Sequence, residues 1–309
     1  MASIEVRPLD GNLAFGTQVS GVTSEALDDE GVRARLRELL DEKGVIVCRN
    51  VEQTAAMQVK LSQVFGPLKE HPVYSVARAD RDNLPGVIVI ATGPGSCIVE
   101  IDGKPLVTWQ PWHFDHAYND EMMYAAVLRS IKTPKGGGRT AFADGIQIYN
   151  DMDPAIRAKA DGMKAIYNLD LRYDRQRFGL PKDFRLVKPH DNTLSQENEN
   201  GRCAVHPAVW TRPSGEKVFH MCPYGCRGLE GDRSDEAFAK LAEVWDEAER
   251  VMKVYYHQWQ DGDMVIWDNT RVLHEATGSN PEEEREIHRT TIKGPLCHGW
   301  WEKQTEAAA

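Results

Sequence analysis

The sequence of 309 residues lacks any apolar run approaching the roughly 18 residues that a membrane-spanning helix needs. Its first residues, MASIEVRPLDG, also lack the apolar core of a signal peptide. The six cysteines are scattered, and a chain of this length does not depend on disulfides for a core. We therefore expect a reduced, cytoplasmic protein with no membrane partner.

Excess positive charge is also missing, because the formal net charge is -10 at pH 7. The chain has no basic footprint of the kind that nucleic-acid-binding proteins carry, so nucleic acid is not an expected partner. An anionic substrate is still compatible with this charge, since a few local arginines can dominate a pocket. The length fits one large catalytic domain or two small ones, and we predict a single domain over residues 1–309.

What the sequence does contain is many short apolar runs separated by turns. The runs that predict strands are GVIVIA, IVEID, YAAVLRS, RTAFAD, MKAIYNL, CAVHPAVW, KVFHM, MVIWDN and HRTTIKG. Helices are predicted over 25–43, near 54–66, over about 145–161 and from Ser234 to about His257. This pattern favours a β-sandwich or jelly roll with flanking helices over a doubly wound sheet. The polar segment around 171–203 predicts a lid-like insertion, because long loops inside compact domains often carry function.

The stretch WHFDHAY, residues 112–118, suggests a metal site. On an extended segment side chains alternate, so His113 and Asp115 would share one face. One imidazole and one carboxylate are two-thirds of a 2-His-1-carboxylate facial triad, which leaves three coordination positions of Fe(II) open. The third ligand must come from a distant segment. His274, in WDNTRVLHEATG, is the candidate, and His288 competes with it.

Two arginines in REIHRTTIKG suggest anion binding. If this last strand is extended, Arg285, Ile287 and Arg289 share one face. Two neighbouring guanidinium groups are costly unless anions lie between or beside them. The pattern therefore predicts two anions, a cosubstrate and a substrate.

Taken together, the motifs resemble the taurine dioxygenase / 2,4-dichlorophenoxyacetate dioxygenase (TauD/TfdA) family of Fe(II)- and 2-oxoglutarate-dependent oxygenases. A single H-x-D motif is common by chance, whereas the shared order and spacing of all the motifs is specific. The matching stretches are DEKGVIVCRN, FGPLKEHPVY, WHFD, GGGRTAFAD, HPAVWTRPSGEKVF, GDMVIWDN with VLH, and REIHRTTIKG.

The resemblance implies a mainly β, α+β fold, a double-stranded β-helix (jelly roll) in a homo-oligomer. It also implies Fe(II), with 2-oxoglutarate and O2 as cosubstrates, and hydroxylation of a small organic anion with release of succinate and CO2. The iron ligands implied by the resemblance are His113, Asp115 and His274. The residues implied for the distal carboxylate of 2-oxoglutarate are Thr140 and Arg285. The residues implied for the substrate anion are Arg289, His71 and Tyr74.

Two departures from the family pattern concern the expected substrate pocket. Trp109 stands where taurine dioxygenase has a small amide residue, and the block VFHMCPYGCRGLEG replaces a run of small and polar residues. Both changes favour a larger, flatter and more apolar anion than taurine. Trp109 is therefore predicted to form a wall of the substrate pocket.

Alternatives from other classes stay open on the sequence alone. His220, Cys222 and Cys226 have the spacing of half a zinc site, but no second cysteine pair complements them. A zinc-dependent hydrolase could use the same three ligands, although the sequence supplies no evident general base beside them. A non-catalytic jelly-roll binding protein is the remaining alternative.

Overall fold

The structure is a computed structural model that describes residues 4–70, 76–93, 95–189, 201–294 and 298–303. Its helices are α1 Glu30–Lys43, α2 Ala55–Ser62, α3 Gly145–Asp151, α4 Pro154–Ala160 and α5 Asp235–Val251. Short 3₁₀ turns lie at Ala26–Asp28 and Tyr173–Arg175. None of the described helices is long and apolar enough to cross a membrane.

Strands are more numerous than helices in the described residues. They are β1 Glu5–Pro8, β2 Thr17–Ser20, β3 Val45–Cys48, β4 Arg78–Asp80, β5 Leu84–Ala91, β6 Ile98–Ile101, β7 Lys104–His113, β8 Met123–Lys132, β9 Thr140–Asp144, β10 Lys164–Tyr167, β11 Arg185–Lys188, β12 Ala204–Pro207, β13 Val209–Thr211, β14 Lys217–Phe219, β15 Cys226–Leu229, β16 Val254–His257, β17 Met264–Asp268, β18 Val272–Ser279, β19 Glu286–Lys293 and β20 Trp300–Trp301.

Two large sheets dominate this part of the chain. One has eight strands in the order β1-β2-β3-β17-β8-β19-β5-β4, and the other has six in the order β11-β6-β7-β18-β9-β16. A buried cluster fills the space between them, where Trp267 of β17 packs near Phe142 of β9 and Val272 of β18. Two facing, mainly antiparallel sheets with helices outside are the predicted mainly β jelly roll, which the structure confirms.

The helices cover the outer faces of these sheets. Asp29 caps α1 by accepting from the backbone N–H groups of Gly31 and Val32. Gly44 ends the helix at φ 71°, a left-handed conformation that glycine adopts without a steric penalty. The apolar face of α1, including Leu36 and Leu40, packs on the eight-stranded sheet. Trp245 of α5 packs within a second buried cluster that reaches the six-stranded sheet.

Two predicted helices differ from the structure. The helix expected from Ser234 to about His257 ends at Val251, because the β-branched and aromatic residues that follow form β16 and pair with β9. The helix expected over 145–161 is divided into α3 and α4. Pro154 begins α4, where its missing N–H costs nothing, and Asp153 caps that helix.

The predicted insertion at 171–203 lies partly outside the described residues, which omit 190–200. Its first part contains β11, which pairs antiparallel with β6 at the edge of the six-stranded sheet. The described part of this segment is therefore attached to the jelly roll by a β-ladder.

Buried histidines fix the loop that follows β7. His206 Nε2 lies 2.9 Å from the carbonyl of Ala117 and 2.8 Å from that of Asn119. His220 Nε2 lies 2.7 Å from the carbonyl of Asn269, and its ring stacks on Phe114 at 4.0 Å. Burial lowers the pKa of His206 to about 4 and that of His220 to about 3. Both rings are therefore neutral donors in the folded protein.

These neutral histidines predict a stability that falls in acid. An unfolded histidine has a pKa of roughly 6.5, so between that pH and its native pKa the unfolded state binds one more proton. For His220, the free energy of unfolding should fall by about 1.4 kcal/mol for each pH unit below about 6. His220→Gln keeps an N–H donor but cannot titrate. Denaturant unfolding of both proteins at several pH values should give a shallower slope for the variant, and equal slopes would contradict this prediction.

Candidate metal and anion site

Pairing of β7 with β18 brings the first two predicted ligands together. His113, the last residue of β7, is directly opposite His274 in the antiparallel register, and the ring centroids are 4.0 Å apart. Asp115 lies two residues past the end of β7. Its two carboxylate oxygens lie 3.8 Å from Nε2 of His113 and 3.8 Å from Nε2 of His274. The ligand atoms of the three side chains lie within 4.8 Å of one another, and all three residues are buried.

The protonation states of these groups suit metal binding. Burial lowers the pKa of His113, and burial together with the neighbouring His113 lowers that of His274, so both imidazoles are neutral. Burial alone would raise the pKa of Asp115, but the guanidinium of Arg289 lowers it below its usual range. His113 Nδ1 lies 2.7 Å from the carbonyl of Pro111, which leaves Nε2 directed at the site. Two neutral imidazoles and one carboxylate are the donor set of a facial-triad metal site.

The competing histidine is positioned elsewhere. His288 Nε2 lies 2.9 Å from Glu286 Oε1, and its Nδ1 lies 3.2 Å from Nη2 of Arg129. Within the described ranges, the group formed by His113, Asp115 and His274 is the one set of side chains close enough to hold a metal ion. The spacing of His220, Cys222 and Cys226 does not produce a second site there. Burial raises the pKa of both thiols to about 12.

Asn269 positions Asp115, a role that the sequence did not suggest. Its Oδ1 accepts from the backbone N–H of Asp115 at 2.8 Å, and its Nδ2 donates to the carbonyls of Asp115 at 3.0 Å and Met123 at 3.3 Å. Asn269 is fully buried. The sequence feature that could have identified Asn269 is its place at the end of GDMVIWDN, five residues before His274. That motif does not reveal which backbone groups the amide binds.

Arg285 is a buried cation without a partner among the described residues. It is 5% exposed, it precedes β19, and burial lowers the pKa of its guanidinium to about 10. The Cβ that an alanine would add at position 138 would lie 3.7 Å from Cδ of Arg285, so the arginine stem crosses the turn that leads into β9. Thr140, the first residue of β9, is buried in the same region. An unpaired buried guanidinium requires an anion, and a carboxylate fits its planar fork.

Arg289 connects the metal ligands to an apolar cavity. Its Nη1 donates to Oδ2 of Asp115 at 2.7 Å. It lines a small cavity of about 150 Å³ together with His113 and Asp115. It also lines a larger cavity of about 690 Å³, and Gln110 and Tyr224 border both spaces. Apolar side chains form much of the larger cavity: Val76, Ile88, Ile90, Cys97, Leu171, Tyr173 and Leu186.

Trp109 lies outside these two cavities, contrary to the prediction. Its ring packs 5.3 Å from that of Tyr173 and 5.4 Å from that of Phe184, and its Nε1 donates to Glu275 at 3.2 Å. It borders a separate cavity of about 670 Å³. The physical reason is a β-bulge.

The bulge changes which face of β7 each residue occupies. His274 pairs with His113, but Ala276 pairs with Gln110, so three steps on β7 match two steps on β18. The extra residue reverses the alternation beyond the bulge. Gln110 consequently faces the metal side, where simple alternation would have placed Trp109. His71 and Tyr74, the other residues predicted to contact substrate, lie outside the described residues.

Comparisons with known proteins agree with this geometry. The family model described as "Taurine catabolism dioxygenase TauD, TfdA family" matches residues 5–291. The chain is similar to an (S)-phenoxypropionate/alpha-ketoglutarate-dioxygenase of Sphingobium herbicidovorans, with 27% identity over 298 residues, covering 94% of this chain and 96% of the relative. It is also similar to an alkylsulfatase of Acinetobacter baylyi, with 24% identity, covering 96% of this chain and 87% of the relative.

A solved structure supports the fold. A taurine dioxygenase from Burkholderia xenovorans matches with a TM-score of 0.69 and 23% identity, covering 95% of this chain and 92% of that one. The match extends over nearly the whole length of both chains, so the two proteins share their fold.

The position of Asn269 predicts a loss of metal affinity in Asn269→Ala. Without the amide, the backbone of Asp115 loses two hydrogen bonds and the carboxylate is no longer fixed relative to the two imidazoles. Partners of this kind are worth roughly 10-fold to 100-fold in metal affinity. Calorimetric titration with Mn(II) should detect this weakening, whereas the surface variant Asn280→Ala should bind like the wild type. Unchanged affinity in a folded Asn269→Ala protein would contradict the role.

Proposed function

The chain belongs to the TauD/TfdA family of 2-oxoglutarate-dependent dioxygenases, and we propose that it hydroxylates an organic anion with an apolar body. The observation that carries this proposal is the position of Arg289. This cation contacts the carboxylate of Asp115 and also borders the apolar cavity of about 690 Å³. A substrate with an anionic head and an apolar body would match both features.

We assign the metal as Fe(II), held by Nε2 of His113, Nε2 of His274 and a carboxylate oxygen of Asp115. The neutral imidazoles and the ionised carboxylate support this assignment, since two histidines and one carboxylate suit iron with open coordination positions. When bound, the metal supplies the activation of O2 that oxidises both 2-oxoglutarate and substrate. The protein contributes position, charge and exclusion of water.

Arg285 and Thr140 are proposed to bind the distal carboxylate of 2-oxoglutarate. Arg285 is buried without an anionic partner in the described part of the chain, which an incoming carboxylate would supply. A bidentate contact with the guanidinium would be charge-assisted and therefore strong. A zinc-dependent hydrolase would leave Arg285 without a role, which makes that alternative the weaker one.

The substrate proposal rests on shape, charge and relatives. Arg289 already pairs with the carboxylate of Asp115. A neutral substrate would offer its remaining N–H groups no anion, whereas a carboxylate, sulfonate or sulfate ester would bind them. The apolar lining suits an aryl or alkyl body. Two relatives are named for (S)-phenoxypropionate and for alkyl sulfates. These compounds combine an apolar body with an anionic group. We therefore propose an aryloxyalkanoate or an alkyl or aryl sulfate or sulfonate as the substrate class.

The segment around 171–203 is proposed to act as a lid over this cavity. Leu171, Tyr173 and Leu186, all from its described part, contribute to the cavity lining. A lid of this kind would enclose the apolar body and exclude water during the reaction. His71 and Tyr74 are retained as proposed contacts of the anionic head.

The ligand assignment is tested by anaerobic spectroscopy. Addition of Fe(II) and 2-oxoglutarate should give the visible charge-transfer absorption of a chelated 2-oxo acid. His274→Ala should lose this absorption because it removes a ligand, and the matched variant His288→Ala should keep it. Retention in the first variant and loss in the second would contradict the assignment. A zinc-dependent activity without O2 would contradict the whole proposed function.

The substrate class is tested by succinate formation with aryloxyalkanoates, alkyl and aryl sulfonates, and sulfate esters. Arg289→Gln should reduce kcat/KM for the best substrate by about 30-fold or more, because a buried charge pair typically contributes roughly 2 to 5 kcal/mol. Ile90→Trp narrows the apolar cavity without changing charge, so it should disfavour aryl substrates over small aliphatic ones by about tenfold. A neutral compound that both variants convert as well as the wild type would contradict this proposal.

A further inference from the structure

The hydroxyl oxygen of Thr140 already accepts one hydrogen bond, from Trp259. Nε1 of Trp259 lies 3.2 Å from Oγ1 of Thr140, and both residues are buried. An indole N–H only donates, so the hydroxyl oxygen accepts this hydrogen bond. Its own proton must therefore point elsewhere, and no acceptor for it is found among the described residues. Thr140 thus has one unused donor.

Strand register places Thr140 on the face of the sheet that carries His274. Thr140 pairs with Ala276 of β18, and Phe142 pairs with His274, so Thr140 lies on the same face as His274. The two positions are separated by two residues, or about 7 Å along the sheet. The stem of Arg285 passes the turn just before Thr140. A short dicarboxylate that bound the metal at one end would place its other end near these two groups.

We propose that Trp259 is a positioning residue for 2-oxoglutarate, because it holds the Thr140 hydroxyl as a donor toward the distal carboxylate. This inference rests on the proposed function, since it assumes that Thr140 and Arg285 bind that carboxylate. Trp259 does not touch the cosubstrate in this arrangement. It removes the competing orientation in which the hydroxyl proton points away from the site.

Trp259 is itself fixed by its neighbours. It is 4% exposed, and its ring meets that of His257 edge-on, with centroids 4.5 Å apart and planes at 89°. His257 is the register partner of Thr140 on β16. The imidazole of His257 lies 3.1 Å from Asp263 Oδ2 and 3.1 Å from the hydroxyl of Tyr255. A rotation of the indole would disturb this buried set of contacts, so its N–H direction is well defined.

The test measures binding of 2-oxoglutarate to Mn(II)-loaded protein by calorimetry without O2. Trp259→Phe keeps an aromatic ring and removes the N–H, and it should weaken binding by about fivefold, the equivalent of one hydrogen bond. KM for 2-oxoglutarate should rise, whereas KM for the organic substrate should change less than about twofold. Trp245→Phe, in the buried face of α5, makes the same exchange in a different buried cluster from that of Trp259 and should bind like the wild type.

A double-mutant comparison separates positioning from general packing. Thr140→Val should also weaken 2-oxoglutarate binding, and Trp259→Phe should then add nothing in the Thr140→Val protein. An equal weakening in both backgrounds, or no weakening in the wild-type background, would overturn the inference. If Arg285→Ala and Thr140→Val leave binding unchanged, the proposed cosubstrate site itself is wrong. If those two weaken binding and Trp259→Phe does not, only the present inference fails.

A second measurement leaves Trp259 in place, in case its replacement prevents folding. In protein labelled with 15N-tryptophan, the indole N–H resonance that shifts in Thr140→Val should also shift when 2-oxoglutarate is added to the Zn(II)-loaded wild type. If no indole resonance responds to both changes, Trp259 is not coupled to the cosubstrate through Thr140, and the inference is wrong.

Discussion

The cross-strand pair of His113 and His274 is the contact on which the rest of the site depends. It joins β7 to β18 at the centre of the six-stranded sheet, where the backbone ladder fixes both strands. Because directly opposed residues of an antiparallel pair have neighbouring Cβ atoms, the two imidazoles meet without any contribution from a loop. Asp115 lies outside both strands, and the side-chain amide of Asn269 fixes its backbone through two hydrogen bonds. Two of the three proposed metal ligands are thus placed by paired strands, and a buried amide fixes the third, as a site that must keep its geometry requires.

Buried charge is the cost of this arrangement, and it is the reason why we propose that the site binds anions. Asp115 brings one negative charge, which Arg289 balances directly at 2.7 Å. Arg285 has no such balance among the described residues, although it is more deeply buried than either Asp115 or Arg289. A metal dication and two organic anions would complete the balance with these groups. The net charge of -10 therefore says little about the pocket, whose local charge is set by two arginines near β19.

The sequence was informative where local periodicity decides the structure. Strand alternation suggested that His113 and Asp115 cooperate, and the structure brings both beside His274. Alternation failed at Trp109 because a bulge adds one residue to β7, and nothing in TWQPWHFD marks where the extra residue lies. Helical periodicity also predicted too long a helix for α5, since the apolar residues after Val251 fit either a helix or the strand that pairs with β9. In both cases pairing with a distant strand decided the outcome.

The same reasoning explains why the supporting residues were harder to predict than the ligands. An imidazole or a carboxylate carries its chemistry in its residue type, so a motif can suggest it. Asn269 and Trp259 are identified only by directed hydrogen bonds, two to the backbone of Asp115 and one to Thr140, and these partners lie more than a hundred residues earlier in the chain. Their roles exist only after β17 has paired with β8 in one sheet and β18 and β16 have paired with β9 in the other. In this fold, the residue type of each proposed ligand can be read from its own motif, whereas the orientation of those ligands depends on the pairing of distant strands.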